Sequence, residues 1–195
     1  MANFDKALKR LWSVEFSNVP ERMLHLVKGD NGGMTYKGIA RKYHSSWDGW
    51  QIIDAVVSKT DTLGQAALAL LNNVGLQRRV NVFYQVDFWN FIQGDHITYQ
   101  ATAEEMFLSC VNIGIKRCVR MAQETSGAKV DGLFGVNTLA KINAMSPDMF
   151  CGKYTKLEEE YYTNLVIENP KLKKFEAGWI ARSHVVDGDN ALKIA

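Results

Sequence analysis

Three side chains near the N-terminus have the types and settings for acid–base work on a polar bond: Glu15, Asp30 and Thr35. Glu15 is the most unusual of them. Phe4, Leu8 and Leu11 recur at offsets of four and three, the spacing of one helix face, and position 15 extends that apolar row. A carboxyl group drawn out of water favours its neutral form, and the neutral form is the proton donor. The competing reading is a helix that frays before residue 15 and leaves Glu15 in water. Downstream, Asp30-Asn31-Gly32-Gly33 has the composition of a tight turn and Met34-Thr35-Tyr36 that of a short strand, so residues 28–40 read as a β-hairpin carrying its own acid and hydroxyl. Glycoside hydrolysis asks for this combination: one acid for the leaving oxygen, and a second group to stabilise positive charge or activate water. Asp30 serves equally well as an Asx-turn residue bonding its own loop, and Thr35 as a strand-pairing hydroxyl.

Other chemistries find little support. There is no G-x-S-x-G elbow, phosphate-binding loop, dinucleotide fingerprint or H-E-x-x-H pair. His25, His44, His96 and His184 are scattered, and Cys110, Cys118 and Cys151 are odd in number without the paired short spacings of a zinc site. The cysteines read as reduced and mostly buried, and neither metal nor cofactor is expected. Trp12, Trp47, Trp50, Trp89 and Trp179, with seven tyrosines, are either platforms for sugar rings or core.

The elements that position these residues are mostly helices. With 195 residues, 47% hydrophobic, 23% charged and three prolines, the chain can bury a substantial core as one domain, or one with a closely packed extension. A formal charge of +2 is too mild to imply nucleic acid and suits a polyanionic bacterial wall. Asp5, Lys6, Lys9 and Arg10 interrupt any secretory apolar core, and no stretch has membrane-spanning length. The expectation is synthesis in the cytoplasm without a signal peptide or stable membrane insertion, and release by a holin-like or secretion partner to act on the wall. Residues 60–92 read as helical after a Thr60 or Thr62 cap, and residues 102–127 as one central helix from a Thr102 cap to Gly127. A turn at Asp131-Gly132, a short helix from about Asn137 and a Ser146-Pro147 stop follow; then comes a long helix from Tyr154, halted by Asn169-Pro170. Trp179 and Arg182 share a helix face that either locks the C-terminal segment onto the core, the favoured reading, or meets the glycan, and the tail from Asp187 reads as loose.

The order of motifs resembles glycoside hydrolase family 108, the peptidoglycan muramidases that include endolysin-like proteins and those labelled putative secretion activators. In that family a helix ending in Glu-Gly-Gly precedes an Asp-x-Gly-Gly-x-Thr-x-x-Gly-Ile hairpin; here Glu15 precedes Asp30 to Ile39 in that pattern, with Phe16-Ser17 in place of Gly-Gly. Phe88-Trp89 with Gly94-Asp95, Val111-Asn112-Ile113-Gly114 without the usual preceding acid, Val130 to Leu139, and Gly178-Trp179-Ile180-Ala181-Arg182 match the later motifs. The resemblance spans residues 4 to about 186. It implies a mainly α, lysozyme-like fold with a short β-hairpin beside the active-site cleft. A catalytic portion would cover residues 4–100, a peptidoglycan-binding-type portion 101–186 of the same globule, and a loose tail 187–195. It further implies cleavage between N-acetylmuramic acid and N-acetylglucosamine, with Glu15 as general acid and Asp30 or Thr35 opposite. Tyr36, Trp89, Asn112 and Asp131 are the implied glycan or stem contacts. A lytic transglycosylase, a wall-binding secretion helper and an intracellular regulator are the competing functions.

Overall fold

The apolar row at the N-terminus becomes helix α1 (Phe4–Phe16), with Phe4, Leu8 and Leu11 buried. The helix runs past residue 15, so Glu15 sits in its last turn, half-buried. The computed structural model describes residues 1–16, 19, 22–26 and 33–186. Asp30 and the tail from Asp187 therefore lie outside the described residues, as does most of the turn expected at Asp30–Gly33.

The chain divides into two compact units, Glu15–Tyr84 and Met1–Val14 with Gln85–Ala195. In the first, three short strands, β1 (Leu24–Leu26), β2 (Met34–Tyr36) and β3 (Ile39–Ala40), form an antiparallel sheet in chain order. Tyr36 pairs with Ile39, which leaves a two-residue turn at Lys37-Gly38. Both residues have positive φ, 44° and 80°, the geometry that matches the natural strand twist. Helices α2 (Gly49–Val57), α3 (Leu63–Leu71) and α4 (Val74–Tyr84) complete the unit. Thr62 accepts a hydrogen bond from the Gln65 N–H, and Asn73 one from the Leu76 N–H, so the helical stretch read over residues 60–92 restarts at a second cap. Ile53, Leu70, Leu76 and Val80 fill the core.

In the second unit a π-helical segment, Gln85–Trp89, follows, and the expected single helix over residues 102–127 is two: α5 (Gln100–Ile113) and α6 (Ile115–Ser126). Gly114, at φ 85°, breaks them. Thr102 does not cap α5 but lies buried inside it, because the helix starts earlier, where the Gln100 side chain exchanges hydrogen bonds with the Asn3 backbone. Gly127 ends α6 in the left-handed conformation, with the Ala128 N–H returning to the Gln123 carbonyl. After α7 (Val136–Asn143), Ser146-Pro147 is a start as well as a stop. Ser146 accepts from the Met149 N–H and Pro147 opens α8 (Pro147–Glu168), so this helix begins well before Tyr154. Helix α9 (Lys173–Ser183) ends the described elements.

Candidate active site

Glu15 lies within electrostatic reach of Tyr84, which together with Gln77 ties down a strand turn in the first unit. Gln77 and Tyr84 lie seven residues apart on α4, two turns along one face. The Tyr84 hydroxyl donates to the Lys37 carbonyl at 2.6 Å. Gln77 accepts from Lys37 Nζ at 2.7 Å and donates to the Tyr36 hydroxyl at 2.9 Å and the Leu70 carbonyl at 2.8 Å. The two side chains thus pin the Lys37-Gly38 turn to α4. A β-carbon at Gly38 would stand 2.7 Å from the Tyr84 hydroxyl oxygen, so the close approach and the positive φ both call for glycine.

Glu15 acts on this cluster electrostatically. Burial, and then the Glu15 carboxylate, push the Tyr84 pKa upward, so the phenol stays neutral at any working pH. Glu15 Oε1 is sheltered from solvent while the residue keeps some exposed surface. Burial also lowers the Lys37 pKa to about 8 and raises that of Tyr36, the latter opposed by the Gln77 hydrogen bond.

Thr35 lies on the opposite face of β2 from buried Met34 and Tyr36. It is in register with His25 of β1 and Ala40 of β3, so the three form one row across the outer face of the sheet. Tyr36 has no exposed surface, and such a ring has no face to offer a sugar in this conformation. The half-exposed aromatics of the unit are elsewhere: His44 and Trp47 meet the Phe83 ring at 4.8 and 6.4 Å, and Phe83 meets Tyr84 at 5.3 Å. Trp50 is buried beside them, its indole N–H donating to the His44 carbonyl and the Arg41 guanidinium 4.5 Å from its ring.

In the second unit Trp89 is likewise fully buried, edge-on to Phe107 and tilted on Phe4. Its indole N–H donates to Asp95 at 2.9 Å, and a β-carbon at Gly94 would overlap the indole at 2.2 Å. The Phe88-Trp89 and Gly94-Asp95 motif is thus a seat for one ring. Asn112 accepts a hydrogen bond from Arg182 Nη1 at 2.9 Å, which ties the end of α5 to α9. Asp131 Oδ1 accepts from the Leu133 N–H at 2.9 Å and from Gln123 Nε2 at 2.9 Å; these two bonds, in that order, hold its pKa low. Among the described residues no three His, Cys, Asp or Glu side chains converge as a metal site would require.

Residues 24–114 match the family model described as Glycosyl hydrolase 108, and residues 117–184 the one described as Predicted Peptidoglycan domain. The chain carries a glycosyl hydrolase 108 domain followed by a peptidoglycan domain. The two together make it a peptidoglycan-acting hydrolase. The solved structure of SagA from Brucella abortus is similar at a TM-score of 0.66 and 22% identity, covering 96% of this chain and 94% of that one. The shared architecture is the mainly α, lysozyme-like fold. No curated protein matches the chain. The seam between the two matched segments falls at the Gly114 break between α5 and α6. The glycosyl hydrolase 108 segment holds Thr35, Tyr36, Trp89 and Asn112; the peptidoglycan segment holds Asp131; Glu15 precedes both.

Sequence reasoning missed three residues that organise these segments: Gln77, Tyr84 and Gln123. Gln123 is buried in α6 and binds the whole Val130 to Leu139 motif. It accepts from the Asp131 and Gly132 N–H groups at 3.1 and 2.8 Å, and donates to Asp131, the Leu133 carbonyl and Thr138. Its signal was available: a polar side chain among the buried residues Val119, Met121 and Ala122, the same anomaly that singles out Glu15.

Proposed function

We propose that the chain is an N-acetylmuramidase that cleaves the β-1,4 bond between N-acetylmuramic acid and N-acetylglucosamine, with Glu15 as general acid. The setting of Glu15 carries this reading: the last turn of a helix, one oxygen sheltered, beside a neutral phenol that is pinned to a strand turn. A carboxyl group in such a place is half-buried with one oxygen sheltered, yet it remains reachable by a bound sugar. Its proton passes to the glycosidic oxygen as the C–O bond breaks and positive charge develops on the sugar ring. Water then adds its oxygen to the anomeric carbon and gives up a proton to a carboxylate, Asp30 or the Glu15 left ionised by the first step. The Thr35 hydroxyl, on the outer face of the sheet, orients that water or the sugar, and Asp30 is the carboxylate for the positive charge. Trp47, His44 and Phe83 supply a half-exposed apolar surface of the kind pyranose rings stack on. In the cell, a holin-like or secretion partner delivers the protein to the wall.

The second reading, wall binding without cleavage, is favoured by Phe16, whose buried ring directly follows the acid where relatives of the family pattern have glycine. Purified wild type and Glu15→Gln on labelled peptidoglycan, with mass analysis of products, separate the two. The variant keeps the size of the side chain and loses the transferable proton, so its rate falls by roughly a hundredfold to ten-thousandfold while circular dichroism is unchanged. Equal cleavage by both proteins rejects Glu15 as the acid. No cleavage by either selects the wall-binding reading, and anhydro products select a lytic transglycosylase.

A further inference from the structure

A groove of about 770 Å³ runs between α6 and α8, lined mostly by the segment that matches the peptidoglycan domain, with Lys116 and the residues around Gly114 just before it. That volume falls within the roughly 300–1,000 Å³ of small-ligand clefts. One wall is the α6 face bearing Lys116, Arg117, Arg120 and Glu124, and the other is the α8 face bearing Glu160 and Tyr161. Met121 and Leu157 supply apolar surface between them. Among the described residues, none of the five charged side chains makes an ion pair or a side-chain hydrogen bond. Arg117 is instead placed over an aromatic ring, its guanidinium carbon 4.4 Å from the Tyr161 ring centre, a contact that leaves its N–H donors unspent. Lys116 and Arg120 lie beside the turn that Gln123 clamps: a β-carbon at Gly132 would stand 3.3 Å from Arg120 Nε and 3.5 Å from Lys116 Cγ. The Asp131-Gly132 turn of the Val130 to Leu139 motif therefore neighbours two of the cations.

We infer that this groove binds the peptide stem of peptidoglycan, a short chain of small residues bearing several carboxylates and, where its diamino acid is not cross-linked, an amino group. The inference rests on the peptidoglycan reading given above. Three cations on one wall match the carboxylates, with Arg117 presenting the planar donor edge that suits them best. Glu124 and Glu160 match the amino group. The same two acids repel a uniform polyanion such as a glycerol-phosphate polymer, so the charge pattern selects a zwitterionic peptide over an anionic wall polymer. Met121 and Leu157 accept the alanine methyl groups.

The test is titration of the whole chain with a fluorescent synthetic stem tetrapeptide containing a free diamino acid, followed by anisotropy. Saturable binding is expected. Lys116→Glu combined with Arg120→Glu weakens it by roughly tenfold or more, since two exposed attractive charges become repulsive; both positions are exposed, and circular dichroism checks folding. Amidating the peptide's carboxylates weakens binding to the same degree, and acetylating its amino group weakens it by less. Glu15→Gln binds the peptide as wild type does, and a wild-type chain that fails to cut glycan but binds the peptide defeats the hydrolase reading and leaves the groove standing. No saturable binding by a chain that does cut glycan overturns the groove. So does binding indifferent to the charge reversal, or competition by a glycerol-phosphate polymer at lower concentration than the peptide.

Discussion

Replacing Gln123 with Leu removes one buried polar side chain of nearly the same size and all five hydrogen bonds it makes with the Asp131–Thr138 segment. The loss is dominated by what is left behind. The Gly132 N–H is buried and loses its 2.8 Å acceptor, which costs about 1–3 kcal/mol. The Asp131 N–H and the Leu133 carbonyl lie closer to water and add about 1 kcal/mol together, while Asp131 keeps its bond from the Leu133 N–H. The sum is about 2–4 kcal/mol. For a chain of this length each kcal/mol shifts the melting temperature by about 2–4 °C, so a drop on the order of 5–15 °C is expected by circular dichroism. Hydrogen exchange should locate the damage, with the Gly132 amide losing protection and the α5 amides keeping theirs. A shift below about 2 °C, or unchanged protection at Gly132, would refute the claim that Gln123 holds the motif together.

Thr35→Val should slow peptidoglycan cleavage strongly while leaving stability within about 1 kcal/mol, because the side chain is half-exposed on the outer face of the sheet; a parallel loss of both would make Thr35 structural. Trp179 is half-buried, stacked on Tyr162 at 5.3 Å and Phe175 at 5.7 Å, so Trp179→Ala should cost about 2 kcal/mol in urea unfolding, less than a fully buried indole. A stable variant with weaker wall binding would assign the ring to the glycan instead. Lys37 has a pKa of about 8 when folded against 10.5 in the open chain. Between these values the unfolded state holds a proton that the folded state has lost, so stability rises with pH across this window. Lys37→Met should lack that rise, and superimposable pH–stability curves for the two proteins would exclude it.

The local signals in this sequence were sufficient for the helical and hairpin character of the elements, though not for all their bounds: the helix read over residues 102–127 breaks at Gly114, and α8 opens at Pro147 rather than near Tyr154. A 3.6-residue period carried α1 through Glu15, alternation marked Met34–Tyr36, and Thr62, Gly127 and Asn169-Pro170 punctuated helices where expected, because each is a property of a few consecutive residues and their backbone preferences. The anomaly at Glu15 was legible for the same reason: one face of one helix is enough to show a carboxylate in an apolar row. The partners were not. Lys37 meets Gln77 and Tyr84 across 40 and 47 positions, and Asn112 meets Arg182 across 70, and nothing in the local pattern specifies which distant side chain arrives. The start of α5 moved to Gln100 because the Asn3 backbone lies against it, a tertiary contact that outweighs the Thr102 cap. Sequence also could not sort the aromatics. Trp89 is fully buried because Gly94 leaves room for its face and Asp95 takes its N–H, whereas Trp47 stays half-exposed. Whether a ring becomes core or surface depends on how much of it the rest of the chain covers, and that is fixed only when the helices pack.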